Sequence, residues 1–242
     1  MQNIFLSVII PAYNEALRIS HTIIAIDEYL KTKPWKWEIL VINDGSSDET
    51  KDVVERFQNC IPCLKLISYH ANKGKGYAVR TGMLEAVGRY RLFLDADYSV
   101  TINNWDKFSR YLKEYDVIIG SIEKQGAYAE ENGAWYRRIL GKLSKVCVRA
   151  VILPGILDCS RGFKIFSAQA AEDIFSRQII DSWVFDIETL VIAQALGYGI
   201  KELPVVWKNP AGSKVTLHSY WDSLLDLRII KKNLAAGRYL RI

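Results

Sequence analysis

The chain has no apolar run near the ~18–20 residues needed to cross a bilayer, so no transmembrane segment is expected. Its first residues lack a basic stretch followed by an apolar one, and no secretory leader is expected either. Cysteine is scarce, with four in 242 residues, and histidine scarcer, with three. Cys60-Ile61-Pro62-Cys63 has metal or redox spacing, but there is no second Cys-x-x-Cys. Cys147 and Cys159 stand apart from it, and His21, His70 and His218 are scattered. That excludes a structural zinc site and favours packed, reduced thiols. Low-complexity tracts, internal repeats and linkers are missing as well. With 50% hydrophobic and 24% charged residues, the composition is globular rather than disordered. These absences together favour one soluble or membrane-peripheral cytoplasmic domain spanning 1–242.

Charge is not uniformly spread. The net charge is +5, yet residues 135–164 hold seven basic residues against one acidic, and residues 207–242 hold seven against two. The rest of the chain is therefore acidic on balance. Two basic segments in an acidic chain call for a specific partner.

What is present first is an alternating pattern. Apolar runs at Ser7–Pro11, Glu38–Ile42, Leu64–Tyr69 and Tyr90–Leu94 read as strands. Helical periodicity fills Ala16–Lys31, Asp48–Phe57 and Lys75–Val87 between them. Continuous apolar strands separated by helices imply an α/β fold with a mostly parallel sheet covered on both faces. The second half is less regular. Strands are expected at Asp116–Gly120, Gly162–Phe166 and Lys201–Trp207, with helices at Trp135–Leu153, Ala168–Arg177, Asp186–Leu196 and Tyr220–Ala236. Residues 121–134 read as a mobile loop.

Ligands of such sheets sit at the carboxyl ends of the strands, and here each end is polar. Leu92-Phe93-Leu94 delivers Asp95-Ala96-Asp97, two carboxylates one residue apart. Hard cations take carboxylate oxygens, and Mg²⁺ uses few protein ligands and shares its shell with substrate phosphates. The pair therefore reads as a clamp for a metal–diphosphate; a solvated or helix-capping Asp-x-Asp is the plain alternative. Gly74-Lys75-Gly76 fits neither a dinucleotide fingerprint nor a P-loop. A glycine-rich turn opening a helix can still offer backbone N–H groups to an anion, which makes Lys75 and Gly76 candidate donor contacts. Asp44 lies on a turn where its carboxylate could meet a base or ribose, and Asp48 suits the N-cap of the next helix.

Ser7-Val-Ile-Ile-Pro-Ala-Tyr-Asn-Glu15, Ile42-Asn-Asp-Gly-Ser-Ser-Asp48, Asn72-Lys-Gly-Lys-Gly76 and Asp95-Ala-Asp97 occur in one order, and the chain resembles the family 2 inverting glycosyltransferases of GT-A fold. Asp158-Cys-Ser-Arg-Gly-Phe-Lys164, Trp183-Val-Phe-Asp-Ile-Glu188, Glu202-Leu-Pro-Val-Val-Trp207 and Gly212-Ser-Lys214 narrow the resemblance to polyprenyl-phosphate sugar transferases, the dolichyl-phosphate glucosyltransferases first and the mannosyltransferases next. The resemblance implies that residues 1–120 hold the nucleotide-sugar and 121–242 face the acceptor and membrane. It implies that Pro11, Tyr13, Glu15 and Asp44 line base and ribose, that Asp95 and Asp97 hold the diphosphate through Mg²⁺ or Mn²⁺, with Ser99 at the position of a third ligand, and that Lys164 and Lys214 reach a phosphate. Asp158 would contact sugar or acceptor, or simply cap its loop. The Gln-x-x-Arg-Trp of processive members is absent, since this chain has Gln178-Ile-Ile-Asp-Ser-Trp183. Relatives carry Cys where Arg161 stands, an extra phosphate contact or a surface change.

The implied activity is transfer of a hexose, glucose first, from a UDP-sugar to a polyprenyl (dolichyl-type) phosphate with inversion. GDP-mannose as donor is one alternative, and a non-catalytic nucleotide-sugar-binding subunit of a membrane complex is another. The basic segments then acquire a partner. Arg138, Lys142, Lys145 and Arg149 recur on one face of an apolar helix, and Arg228, Lys231 and Lys232 repeat the theme. Such helices lie in the membrane interface and favour anionic lipids. Peripheral contact on the cytoplasmic face through 135–153 and 220–236, or a membrane-protein partner, is expected; nucleic acid is not.

Overall fold

A computed structural model describes residues 4–130, 152–208 and 218–240 of the protein. In chain order its elements are β1 (Leu6–Ala12), α1 (Ile19–Lys31), β2 (Trp37–Asp44), α2 (Thr50–Gln58), β3 (Leu64–Tyr69), α3 (Lys75–Glu85) and β4 (Tyr90–Leu94), then short helical turns from Ile102 to Tyr111. There follow β5 (Val117–Ser121), β6 (Tyr128–Ala129), β7 (Phe163–Ser167), α4 (Ala168–Phe175), α5 (Phe185–Ala195), β8 (Ile200–Pro204), β9 (Val206–Trp207) and α6 (His218–Ala235).

One sheet runs β3-β2-β1-β4-β7-β5-β8. The pairs β1–β2, β2–β3, β1–β4 and β5–β8 are parallel, while β7 runs antiparallel to both β4 and β5. The expected mostly parallel α/β sheet is thus present, with one reversed strand inside it. The antiparallel strand puts the start of β7 beside the end of β4, so the loop before β7 arrives at the carboxyl edge where Asp95 emerges.

Alternation along the central strands feeds two cores. Val8, Ile10, Ile39 and Val41 meet Ile19, Ile23 and Ile26 of α1 on one face. Ile9, Leu40 and Ile42 meet Ala78, Val79 and Met83 of α3 on the other, with α4 and α5 beyond. Every residue of β1 is buried, and each such aliphatic side chain contributes about 1.5–3 kcal/mol of transfer free energy. Burial on both faces is why these strands read as unbroken apolar runs.

Two sequence expectations change. Residues 121–134 are not all loop: Tyr128–Ala129 pairs in parallel with Val206–Trp207, because Tyr128 N–H donates to Val205 O at 3.2 Å and Glu130 N–H to Trp207 O at 3.0 Å. The expected strand Lys201–Trp207 is accordingly split at Val205 between the main sheet and this small one. The expected helix Trp135–Leu153 falls almost wholly outside the described residues, as does Lys214; Ile152 and Leu153, at its end, are buried in the core. Among the described residues no helix is long and apolar enough to cross a membrane.

Candidate active site

The strand order reverses direction between β1 and β4, the switch point at which open α/β sheets bind ligands. A cleft of about 590 Å³ lies there. Pro11, Tyr13 and Glu15 reach it from β1, Asp44 from β2, Lys75 from α3, and Asp95, Asp97 and Ser99 from β4. The second half adds Ser160 and Arg161 before β7, Trp183 and Asp186 at the start of α5, and Trp207.

Two non-glycine residues at the cleft edge take left-handed backbone, Asn14 (φ 51°) and Tyr98 (φ 55°). Such conformations persist where surroundings over-determine them. Asn14 Oδ1 accepts from Ser47 N–H at 2.8 Å and Asn14 N–H donates to Ser46 Oγ at 2.9 Å, tying the ends of β1 and β2 together. Tyr98 N–H donates to Asp95 O at 3.1 Å, closing the turn that aims Asp95 and Asp97. Ser99 is buried, and its N–H donates to Asp97 Oδ1 at 2.9 Å. It therefore orients Asp97 through its backbone. Asp48 does not sit at the N-cap, which is Glu49, but its carboxyl still binds the helix start, accepting from Thr50 N–H at 3.0 Å.

Asp95 is held from two sides. Lys75 Nζ pairs with Oδ1 at 2.7 Å. A Cβ built on Gly162 would come within 1.9 Å of Oδ2, so the backbone of Gly162 lies flat against that oxygen. Asp97 is pushed above the usual carboxylate range by burial and then by the charge of Asp95. For Lys75, burial opposes the ammonium, but the charges of Asp95 and Asp186 and the hydrogen bond to Asp95 outweigh it and raise its pKa. The donor set that remains for a cation is two carboxylates of hard oxygen; among the described residues no cluster of three or more His, Cys, Asp and Glu could hold a metal by itself. Two carboxylates one residue apart that line the same cleft fit a divalent ion that completes its shell with substrate oxygens.

The glycine-rich turn behaves differently from expectation. Lys73 N–H and Gly74 N–H donate to Asp44 Oδ1 and Oδ2 at 2.8 and 3.0 Å, and Asn72 Nδ2 adds a third bond at 2.9 Å. The anion that this turn binds is the chain's own Asp44. Gly76 N–H is likewise taken, by Asp181 O at 2.8 Å, and a Cβ there would meet Ile180 O at 2.4 Å. Gly76 is thus a close-packing point rather than a phosphate donor. Asp44 is almost fully buried and its carboxyl is raised, burial outweighing its backbone hydrogen bonds.

Lys164, expected to reach a phosphate, lies beneath the cleft. Its ammonium is buried and donates to Asp186 Oδ1 and Arg161 O, both at 2.6 Å. There it joins the loop before β7 to the start of α5. Asp158 ties its own loop together: its side chain has no exposure, Oδ1 accepts from Ser160 N–H and Oγ, and Oδ2 accepts from Ile122 N–H and from Arg161 Nε at 3.2 Å. The result is to aim Arg161, whose guanidinium stacks 4.7 Å over Trp207 at the cleft wall.

Residues 7–175 match the model of Glycosyl transferase family 2. The chain belongs to that family. It is 33% identical over 234 residues to a dolichyl-phosphate β-glucosyltransferase of Trichomonas vaginalis, covering 93% of this chain and 72% of the relative. With the dolichyl-phosphate β-glucosyltransferase of Saccharomyces cerevisiae it shares 31% over 260 residues, 98% of this chain and 77% of the relative. The fold is also that of glucosyl-3-phosphoglycerate synthase from Mycobacterium tuberculosis in complex with UDP (TM-score 0.66, 16% identity, 97% of this chain and 80% of the other). A mannosyltransferase from Pyrobaculum calidifontis, solved with GDP-Man and Mn²⁺, superposes at TM-score 0.59 with 18% identity, over 97% and 65%. The glycosyltransferase thus has a GT-A-like sheet.

Sequence reading of the glycosyltransferase missed Arg18, Trp183, Asp186 and Trp207 as cleft residues. A signal existed for two of them. Trp183 and Asp186 stand at the start of α5, a helix whose residues are mostly apolar and buried, and a carboxylate and an indole at such a start call for a partner.

Proposed function

We propose that this glycosyltransferase moves glucose from UDP-glucose to dolichyl phosphate, inverting the anomeric carbon, at the cytoplasmic face of a membrane. The observation that carries the reading is its likeness, over nearly its whole length, to dolichyl-phosphate β-glucosyltransferases, joined to a switch-point cleft floored by Asp95 and Asp97. The acceptor phosphate has a second pKa near ~6 and is already anionic at neutral pH. It therefore needs no general base, and none is assigned. A phosphate oxygen attacks C1 of glucose opposite the diphosphate; the new C1–O bond forms as the bond from C1 to the UDP oxygen breaks, and both electrons of that bond leave with UDP.

In this reading Pro11, Tyr13 and Glu15 border the nucleoside, and Asp44 stiffens the wall beside it. Asp95 and Asp97 hold Mg²⁺ or Mn²⁺, which when bound supplies positive charge to the departing diphosphate. Trp183 offers an apolar face to the sugar, and Arg161, fixed by Asp158 and Trp207, offers charge to the acceptor phosphate. The first half then serves the donor and the second half the acceptor within one domain. Membrane contact falls to α6. Leu225 and Ile229 are 56% and 44% exposed beside exposed Arg228, Lys231 and Lys232, and Ser182 Oγ donates to Asp226 Oδ2 at 2.6 Å, joining that helix to the cleft rim. Segment 135–153 is the second proposed contact. The test is transfer of labelled glucose from UDP-glucose to dolichyl phosphate in mixed micelles with Mn²⁺. Lipid-extractable label released by mild acid supports the reading; label only from GDP-mannose, or none from any nucleotide-sugar, overturns it.

A further inference from the structure

The cleft floor holds two lysines with opposite freedoms. Lys164 is fully buried and doubly bonded. Lys75 is partly open, with side-chain exposure of 18% against 21% for Asp95. Its ammonium has one carboxylate partner, Asp95, and otherwise rests between two ring faces, 5.2 Å from Phe93 and 4.8 Å from Trp183. Trp183 is itself 46% exposed, so the outer ring wall is open to the cleft. The backbone on either side cannot shift, because Gly74 N–H is bonded to Asp44 and Gly76 N–H to Asp181 O. What can move is the four-carbon stem. Asp95 has one oxygen on Lys75 and the other covered by Gly162, so a metal ion reaching Asp95 must compete with the ammonium.

We propose that Lys75 is a resident cation that occupies Asp95 until a nucleoside diphosphate draws its ammonium onto the phosphate oxygens, so that nucleotide and metal bind synergistically. This rests on reading Asp95 and Asp97 as the metal–diphosphate seat. Without nucleotide, Lys75 offsets the charge of the seat and keeps its metal affinity low. A diphosphate offers Lys75 a better partner, exposes Asp95 Oδ1 and supplies the missing ligands at the same moment. The coupling is reciprocal, as all binding linkage must be.

The test is Mn²⁺ binding to the full chain followed by electron paramagnetic resonance, with and without UDP, in wild type, K75M, K75Q and K75R. Two neutral variants guard against one that misfolds, and circular dichroism checks each. Removing the competing ammonium should tighten nucleotide-free Mn²⁺ binding about tenfold in K75M and K75Q, within the usual range of coupling. The factor by which UDP improves Mn²⁺ affinity should shrink correspondingly. K75R, which keeps a cation on Asp95, should stay as weak as wild type without UDP. Equal nucleotide-free affinities in wild type and both neutral variants, with UDP still recruiting Mn²⁺ to all, overturn the role of Lys75 and leave the seat standing. Failure of wild type to bind Mn²⁺ beyond what UDP alone binds removes the seat, and the proposal with it.

Discussion

Gly162→Ala is the sharpest test of how the cleft positions Asp95. The added methyl would lie 1.9 Å from Asp95 Oδ2 and 2.7 Å from Oδ1. Clearing even 3.0 Å means that the carboxylate retreats by about 1.1 Å. Such a retreat carries both oxygens away from the position in which Oδ1 meets Lys75, and the main chain cannot absorb it because Asp95 N–H donates to Gly162 O at 3.3 Å. Misplacing a reacting group by about 1 Å can cost about 10²-fold in rate, and overpacking of this kind costs about 1–3 kcal/mol of stability. The variant should therefore stay folded but lose about 10²-fold in kcat/KM for the nucleotide-sugar. Gly199→Ala is the control, because its methyl would meet Tyr115 at 3.5 Å, an ordinary contact. Melting temperature, UDP–Mn²⁺ affinity by calorimetry and initial rates separate the two effects. Activity within threefold of wild type in folded Gly162→Ala would refute the claim that Asp95 must sit where it does.

Asp97→Ala should abolish both turnover and the stabilisation that UDP with Mn²⁺ gives in a thermal shift; wild-type-like turnover sinks the metal clamp. Lys164→Met strands Asp186 as a buried charge, which costs about 3–5 kcal/mol, or roughly 10 °C at this chain length; a melting temperature within 2 °C of wild type, at about that resolution, would mean that the pair is not the floor's support. Glu188 accepts from Ile179 N–H, Ile180 N–H and Tyr239 OH, and burial raises its pKa. A carboxyl raised in the folded state contributes its full stability below its unfolded pKa and loses it as pH rises through the folded value. Glu188→Gln, whose Oε1 can accept from both N–H groups while its Nε2 donates to Tyr239 Oη with that bond reversed, should flatten the fall in stability above the ordinary glutamate pKa of about 4.3; an unchanged pH slope contradicts this. Replacing Arg228, Lys231 and Lys232 with Gln removes about 1 kcal/mol each of attraction to anionic lipid and should weaken vesicle co-sedimentation about 10²-fold at low salt; unchanged sedimentation returns α6 to a solvated surface.

The first half of the fold was legible because a parallel strand covered on both faces has to be apolar at every position, and the polar residues that follow it have to lie on the carboxyl edge. Leu92-Phe93-Leu94 could only end by delivering Asp95 and Asp97 there. The same logic fails for β7, because sequence does not say which neighbour a strand chooses or in which direction. Once β7 is antiparallel beside β4, Gly162 must lie next to Asp95, and a residue that looked like part of a motif becomes the wall that fixes the carboxylate. Lys164 is the companion case. Phe163 and Ile165 pack into one core and Phe166 into the other, so alternation turns Lys164 inward on the face of Phe166. A lysine there must find a buried anion, and the only early hint of one was Asp186 at the head of an apolar helix. Asp44 follows the same pattern, since a turn rich in free N–H groups satisfies the first carboxylate it meets, and in a folded chain that carboxylate can be its own. Motifs therefore pointed to the cleft, whereas pairing between distant segments decided which of their charges face it and which hold it together.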